Sequence, residues 1–119
     1  MELATEERGG GVLVVAARGD LNAASCGRLE QELNARMDAG RDRLVLDLAE
    51  VRYVSSAGLR VFLLAARKAG KGGRFVLARP VEAVRGVLEM TGFLGIMRVE
   101  ADLDAAVAAA ADATAAGAA

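Results

Sequence analysis

Short apolar runs rich in β-branched residues alternate along this chain with stretches whose apolar residues recur at helical spacing. The extended runs cover residues 11–18, 43–48, 74–78 and 96–100. The segment from Glu2 to Glu7 is a further candidate edge strand, because Gly9-Gly10-Gly11 can turn the chain back on itself. Strand–helix–strand units require parallel pairing, whereas a hairpin adds an antiparallel pair. We therefore expect an α/β fold, a single domain with a small mixed β-sheet and helices packed mainly on one face.

Residues that favour helix starts precede the helical stretches. Asn22 is the candidate N-cap of the first helix, and the second helix is expected to begin near Ala57. Pro80 suits the first turn of the third helix, and Asp102 suits the cap of a fourth, alanine-rich helix. The apolar spacing in the second helix predicts a buried stripe made of Leu59, Phe62, Leu63 and Ala66.

The length of 119 residues is that of one ordinary domain, which we expect to span residues 1–112. We expect Gly72-Gly73 to form a turn and the alanine-rich segment 113–119 to be frayed, because that segment has little left to bury. Asp47 interrupts an apolar run near the end of its strand. A structural role, in which its carboxylate accepts hydrogen bonds from nearby loop N–H groups, is favoured over a role in a functional site.

The chain contains no histidine. Histidine is the commonest general base, the usual partner of a serine or cysteine nucleophile, and the commonest zinc ligand. The formal net charge is −1, from 15 basic and 16 acidic residues, so no overall field attracts a nucleic-acid backbone. We therefore expect neither enzymatic activity, nor a cofactor or metal site, nor direct binding of nucleic acid.

Cys26 is the single cysteine, so no disulfide can form within the chain, as is usual in a reducing cytoplasm. The first ten residues are charged and polar and do not resemble a signal peptide. No apolar run approaches the roughly 20 residues that are needed to cross a bilayer. These observations predict a cytoplasmic protein without membrane insertion.

The most informative segment runs from Tyr53 to Arg60, where two serines stand between a strand-derived loop and a helix. Serine is a favoured N-cap, so simple capping explains the pair on local grounds. Capping does not exclude regulation, because a serine at this position is exposed at the positive end of the helix dipole. The small residues Ala57 and Gly58 leave room for another macromolecule to approach.

Three segments together resemble the STAS family of anti-sigma factor antagonists. Ser55-Ser56-Ala57-Gly58-Leu59 is similar to the family motif Asp-Ser-Ser/Thr-Gly-Leu, with Ser56 at the position of the phosphorylated serine and Ser55 in place of the aspartate. Gly19-Asp20-Leu21-Asn22 resembles the Gly-Glu-Leu-Asp turn before the first helix of the family, with Asn22 in place of its acidic end. Residues 44–48 resemble the central strand, and the likeness extends over almost the whole chain from Leu13 to Leu103.

The resemblance implies a partner-switching role. The unphosphorylated protein would bind an anti-sigma factor with GHKL-type serine kinase activity and so release a sigma factor. Phosphorylation of Ser56, or alternatively of Ser55, would break the complex, and a PP2C-type phosphatase would reset it. The residues expected to contact the partner are Asn22, Ala23, Tyr53, Val54, Ser55, Ser56, Ala57, Gly58 and Arg60.

Two other functions compete with this interpretation. A STAS domain can also act as a structural subunit in a lipid-transport ATPase or in a signalling scaffold. The Ser55-Ser56 pair favours the antagonist over such a subunit. A serine hydrolase would need the Gly-x-Ser-x-Gly elbow and a histidine, and the chain has neither.

Overall fold

Ten elements follow one another in the computed structural model, which describes residues 1–70 and 74–111. The predicted turn at Gly72-Gly73 and the predicted frayed tail 113–119 lie outside the described residues. The elements in chain order are β1 (Glu2–Arg8), β2 (Val12–Arg18), α1 (Cys26–Asp38), β3 (Leu44–Glu50), α2 (Ser56–Ala69), β4 (Phe75–Ala78), α3 (Glu82–Met90), a 3-10 turn (Phe93–Gly95), β5 (Arg98–Glu100) and α4 (Leu103–Ala111).

The five strands form one mixed sheet in the order β1-β2-β3-β4-β5. β1 pairs antiparallel with β2 through a tight turn in which Gly10 and Gly11 take left-handed conformations, with φ of 81° and 75°. The other neighbours pair in parallel. This arrangement confirms the predicted hairpin and the predicted mixed sheet.

Alternate residues of the central strands pack on opposite faces of the sheet, which is the period-2 pattern of extended chain. One face carries the main core, in which Leu13, Leu46 and Leu77 meet buried residues of α1, α2 and α3. The other face is covered by α4, whose Ala106 and Ala110 pack against the remaining strand positions. Three helices on one face and one on the other agree with the prediction that helices pack mainly on one side.

Two predicted boundaries were wrong near the third helix. Pro80 lies before α3 and not in its first turn, since Val81 is the N-cap and the helix begins at Glu82. Arg79 causes the offset because its backbone is left-handed, with φ of 52°, and its N–H donates to the carbonyl of Glu100 at 2.9 Å. The last strand begins at Arg98 and not at residue 96, because a 3-10 turn occupies residues 93–95.

The buried face of α2 is rotated relative to the predicted stripe. Leu59 and Phe62 are buried as predicted, but Val61 and Ala65 complete the buried set, whereas Leu63 and Ala66 are only half-buried. α1 packs against α2 and covers that flank of the helix. The rotation leaves Ser56, Arg60 and Leu64 on the outward surface.

Asp47 has the structural role that was predicted, but its partners are a strand N–H and the side chain of Arg79, not the N–H groups of a loop. It is 6% exposed and is the one buried charged residue among those the structure describes. Its Oδ1 accepts hydrogen bonds from the backbone N–H of Ala49 (3.2 Å) and from Arg79 Nε (3.1 Å), and its Oδ2 accepts one from Arg79 Nη2 (2.5 Å). The hydrogen bonds that the Arg79 guanidinium donates to Asp47 raise the pKa of that guanidinium above its ordinary value. This ion pair ties the middle of β3 to the residue that follows β4.

Within residues 1–70 and 74–111, no helix combines the length and the apolar composition that crossing a bilayer requires.

Candidate functional site

Two connections meet beyond the carboxyl ends of β2 and β3. The N–H of Leu21 donates to the carbonyl of Tyr53 at 2.8 Å, and the N–H of Ser55 donates to the carbonyl of Leu21 at 2.8 Å. The two bonds form a short parallel bridge between Leu21 and Val54, and both of these side chains are buried. The bridge ties the loop that leads into α2 to the connection that follows β2.

The two serines of this segment have different environments. Ser55 is the N-cap of α2, with extended backbone (φ −82°, ψ 174°), and its Oγ accepts a hydrogen bond from the N–H of Gly58 at 3.3 Å. Ser56 is the first residue of the helix, which therefore starts one residue earlier than predicted. Its side chain is exposed, and its hydroxyl makes no hydrogen bond with the part of the chain that the structure describes. Ser55 thus has the capping role, and Ser56 presents a free hydroxyl to solvent.

Val54 and Gly58 lie beneath this surface and not on it. Val54 is only 4% exposed and belongs to the main core. A Cβ atom on Gly58 would lie 2.9 Å from Val54 Cγ1 and 3.2 Å from Leu21 Cβ, so glycine is required for α2 to approach the bridge. The expectation that Val54 and Gly58 contact a partner is corrected by their burial, and they position the neighbouring residues instead.

Asn22 organises the other connection. Its Oδ1 accepts hydrogen bonds from the N–H groups of Ala24 (2.9 Å) and Ser25 (3.1 Å). The capping geometry is as predicted, but it serves a separate turn, because α1 itself begins at Cys26 with Ser25 as its N-cap. Asn22 is half-buried and Ala23 is exposed beside it.

Ser25 was not among the residues predicted for the site. Its Oγ donates to the carbonyl of Asp20 at 2.6 Å and accepts from the N–H of Asn22 at 3.0 Å. The reciprocal bonds between Asn22 and Ser25 are those of a capping box, in which two polar residues three apart satisfy each other's backbone. That Asn-x-x-Ser spacing is the signal in the sequence that could have identified it.

The outward residues of the two connections and of the first turns of α2 form what we call the docking surface. Tyr53 is 55% exposed, and Arg60 is exposed one turn after Ser56. Ala57 is half-buried and, together with Arg60, lines a groove between α1 and α2 that also contains Cys26 and Glu30. The members of the docking surface are Ala23, Tyr53, Ser56, Ala57 and Arg60.

Comparison with protein families finds one model that matches most of the chain. The model is described as the STAS domain, and it matches residues 3–106. A protein of Bordetella bronchiseptica (strain RB50), whose name describes it as the anti-sigma factor antagonist BtrV, is 44% identical over 100 residues. The alignment covers 83% of this chain and 86% of that protein.

Solved structures with the same architecture are also found. An anti-sigma factor antagonist from Mycobacterium paratuberculosis is 28% identical, with a TM-score of 0.84, and 92% of each chain is covered. The Bacillus cell fate determinant SpoIIAA in its phosphorylated form is 19% identical, with a TM-score of 0.66 and coverage of 89% of this chain and 96% of that one. At 19% identity, the likeness to SpoIIAA shows a shared fold.

Proposed function

The chain belongs to the STAS domain family, and from that membership we propose that it is an anti-sigma factor antagonist whose partner binding is switched off by phosphorylation of Ser56. One observation carries the choice of residue. Ser56 presents a free, exposed hydroxyl at the start of α2, whereas the neighbouring hydroxyl of Ser55 is engaged by the N–H of Gly58.

The docking surface suits reversible recognition by a protein. Tyr53 offers an exposed aromatic ring, the kind of side chain that often anchors an interface. The carbonyl of Tyr53 accepts a hydrogen bond from the N–H of Leu21, so the backbone that carries this ring is held by the bridge between Leu21 and Val54. The anti-sigma factor is proposed to cover this surface in the unphosphorylated state, which frees the sigma factor.

The switch itself is a phosphoryl transfer carried out by the partner. Ser56 Oγ attacks the γ-phosphorus of ATP, the bond to the departing ADP breaks, and the hydroxyl proton passes to a base of the kinase. This role fits an anti-sigma factor of the GHKL kinase type, and hydrolysis by a PP2C-type phosphatase restores the hydroxyl. The chain supplies the acceptor and not the catalyst, and the place of action is the cytoplasm, where RNA polymerase is found.

Phosphorylation is expected to weaken the binding of the partner and not the stability of the fold. A phosphoserine carries about −1.5 to −2 charges at neutral pH. A charge of this size loses hydration when a partner covers it, and the loss is not repaid by a neutral or acidic partner surface. A penalty of about 3 kcal/mol lowers affinity by more than about a hundredfold, which is enough to dissociate a tight complex.

Ser55 is the weaker candidate for the phosphate. Esterification of its Oγ would place a bulky dianion on the atom that accepts the hydrogen bond from Gly58, at a half-buried position. The exposure of Ser56 also favours the antagonist over a purely structural STAS subunit in a transport ATPase or scaffold, because such a subunit has no need of an accessible hydroxyl.

The test uses the full chain and the kinase encoded beside its gene. After incubation with ATP, mass spectrometry is expected to find the phosphate on Ser56, to lose it in Ser56→Ala and to retain it in Ser55→Ala. Calorimetric titration with the anti-sigma factor is expected to give wild-type affinity for Ser56→Ala and an affinity at least about a hundredfold lower for the phosphorylated protein. Phosphate on Ser55 alone, or a Ser56→Asp variant that binds like wild type, would contradict the proposal.

A further inference from the structure

Arg60 stands one helical turn after Ser56 on the outward face of α2. We propose that the guanidinium of Arg60 binds the phosphate on Ser56 of the same chain. Phosphorylation then adds negative charge to the docking surface and also makes the Arg60 cation unavailable to a partner. The inference rests on the proposed function for the identity of the modified serine.

The spacing brings the two side chains together. Residues four apart in an α-helix are separated by about 6 Å along the axis and by about 40° around it, so their side chains are neighbours. Both residues are exposed, so a phosphate on Ser56 and the guanidinium can meet without displacing the core. A guanidinium binds phosphate oxygens in a bidentate manner, which makes arginine better suited to this role than lysine.

Arg60 has no competing anion within reach of an ion pair. No carboxylate of the described residues lies within 4.0 Å of its guanidinium. The first turn of α2 contains no acidic residue, and the N-cap position is the neutral Ser55. Glu30 of α1 lines the same groove as Arg60 but forms no ion pair with it. A phosphate on Ser56 would therefore be the first anion carried by the N-terminal turn of α2.

The arrangement gives one modification two effects on the docking surface. In the unphosphorylated protein Arg60 is free to contact an acidic patch of the anti-sigma factor. In the phosphorylated protein the same guanidinium turns to the phosphate, so the partner loses an attractive contact while it meets a repulsive one. The net charge of the surface changes only by the charge of the phosphate, about −1.5 to −2, but binding is weakened in two ways because the attractive contact of Arg60 is lost as well.

The first experiment needs no kinase and no partner. The full chain is made with phosphoserine encoded at position 56, and the second pKa of the phosphate is measured by phosphorus NMR in the wild type, Arg60→Gln and Arg67→Gln. Arg67 is the matched control, because it is an exposed arginine on the same helix that lies about 16 Å from Ser56 along the axis. Arg60→Gln is expected to raise the second pKa by about 0.3 unit, as loss of an exposed helical ion pair does, and Arg67→Gln to leave it unchanged. Equal values in all three proteins would overturn the proposal.

The second experiment tests the consequence for binding with a double-mutant cycle. Affinity for the anti-sigma factor is measured for wild type and Arg60→Gln, each with serine and with phosphoserine at position 56. Phosphorylation is expected to weaken binding several-fold less in Arg60→Gln, because that variant has already lost the cation. Additive effects would contradict the second half of the proposal. If the unphosphorylated chain does not bind the anti-sigma factor at all, the proposed function fails, and the phosphorus NMR result still decides whether Arg60 holds the phosphate.

Discussion

Ser55 and Ser56 are adjacent hydroxyls, and replacing each one separately measures how differently the fold uses them. Ser55→Ala removes the acceptor for the N–H of Gly58 and is expected to lower the free energy of unfolding by about 1 kcal/mol, the usual cost of losing an N-cap. Ser56→Ala removes a hydroxyl with no partner among the described residues and is expected to change stability by less than about 0.5 kcal/mol. Chemical denaturation of both variants checks the difference, and Ser55→Asp, which keeps a capping acceptor, is the control.

Replacing Gly58 tests whether this glycine is needed for the packing of α2 or only leaves room for a partner. A methyl group at this position would contact Val54 Cγ1 at 2.9 Å and Leu21 O at 3.3 Å, so Gly58→Ala must displace α2 or the bridge. We expect a loss of about 1–3 kcal/mol in the free energy of unfolding, the range of ordinary overpacking. The matched control is Gly86→Ala in α3, where a Cβ meets nothing within 4 Å. That variant is expected to gain about 0.5–1 kcal/mol, because alanine suits a helix interior better than glycine. Equal effects of the two substitutions would contradict this account of Gly58.

At this scale the sequence predicted where the candidate site lies, but it did not predict the structural role of each residue. The serine pair, its small neighbours and the upstream turn were identified from their order in the chain. Which serine caps the helix depends on one pair of backbone angles at Ser55, and these angles follow from the bridge between Leu21 and Val54. That bridge joins two connections that are distant in sequence, and no local sequence pattern predicts it. The burial of Val54 and Gly58 was missed for the same reason.

The elements that end near the site are held by a few polar contacts, of which the pair between Asp47 and Arg79 is the most buried. Arg79→Ala would leave the carboxylate of Asp47 with only the N–H of Ala49. We expect a loss of about 1–3 kcal/mol, below the cost for a fully buried pair, because the Arg79 side chain is 44% exposed. Arg98→Ala, which breaks an exposed pair with Glu100, is expected to cost less than about 0.5 kcal/mol and serves as the control in urea denaturation. A loss no greater for Arg79→Ala than for Arg98→Ala would argue against the structural role of Asp47.

A second contact between elements gives the stability a dependence on pH. Glu7 of β1 accepts two hydrogen bonds from Arg41 (2.6 and 2.8 Å), which lower the pKa of the Glu7 carboxyl below its ordinary value of 4.5. Because the folded pKa is the lower one, this contribution is complete above pH 4.5 and is lost as the pH falls through the folded pKa. Urea unfolding of Glu7→Gln is therefore expected to depend less on pH below 4.5 than that of the wild type. Glu89→Gln, which removes an exposed carboxylate outside any ion pair of the described residues, is the control, and identical profiles for Glu7→Gln and wild type would refute the link.

The order and type of the elements could be predicted because each strand and helix has its own apolar period. The ends of these elements could not be predicted, because they depend on the backbone conformation and hydrogen bonds of single residues. The turn organised by Asn22 delays α1, the left-handed Arg79 delays α3, and a 3-10 turn shortens β5. Arg79 is fixed by a partner from another part of the chain, the carbonyl of Glu100, whereas the turns at Asn22 and at residues 93–95 are closed by local hydrogen bonds between residues two to five apart.

At the scale of the whole molecule, the packed core is separate from the surface that is proposed to be modified. The sheet is covered on both faces, by α1 to α3 on one side and by α4 on the other. Ser56 lies outside both cores, at the end of a helix whose buried residues hold it in place. A change of charge at Ser56 therefore has no packed layer to disturb, which suits the proposed recognition of both states by a kinase and a phosphatase.

From this separation we expect phosphorylation of Ser56 to leave the fold unchanged. The N–H groups of the first turn of α2 and the positive end of its dipole favour an anion at this position, and no hydrogen bond to a described residue has to break. With phosphoserine encoded at position 56, amide chemical shifts should change only in residues 19–25 and 52–62, and the melting temperature should move by less than about 5 °C, which corresponds to roughly 1 kcal/mol in a domain of this size. Ser25→Asp provides the contrast, because the Oγ of Ser25 bonds to Asp20 and Asn22 and its replacement must open the upstream turn. Shift changes that spread through β4 and α4 in the phosphorylated protein would mean that the switch works by remodelling the domain and not by altering the charge of a preformed surface.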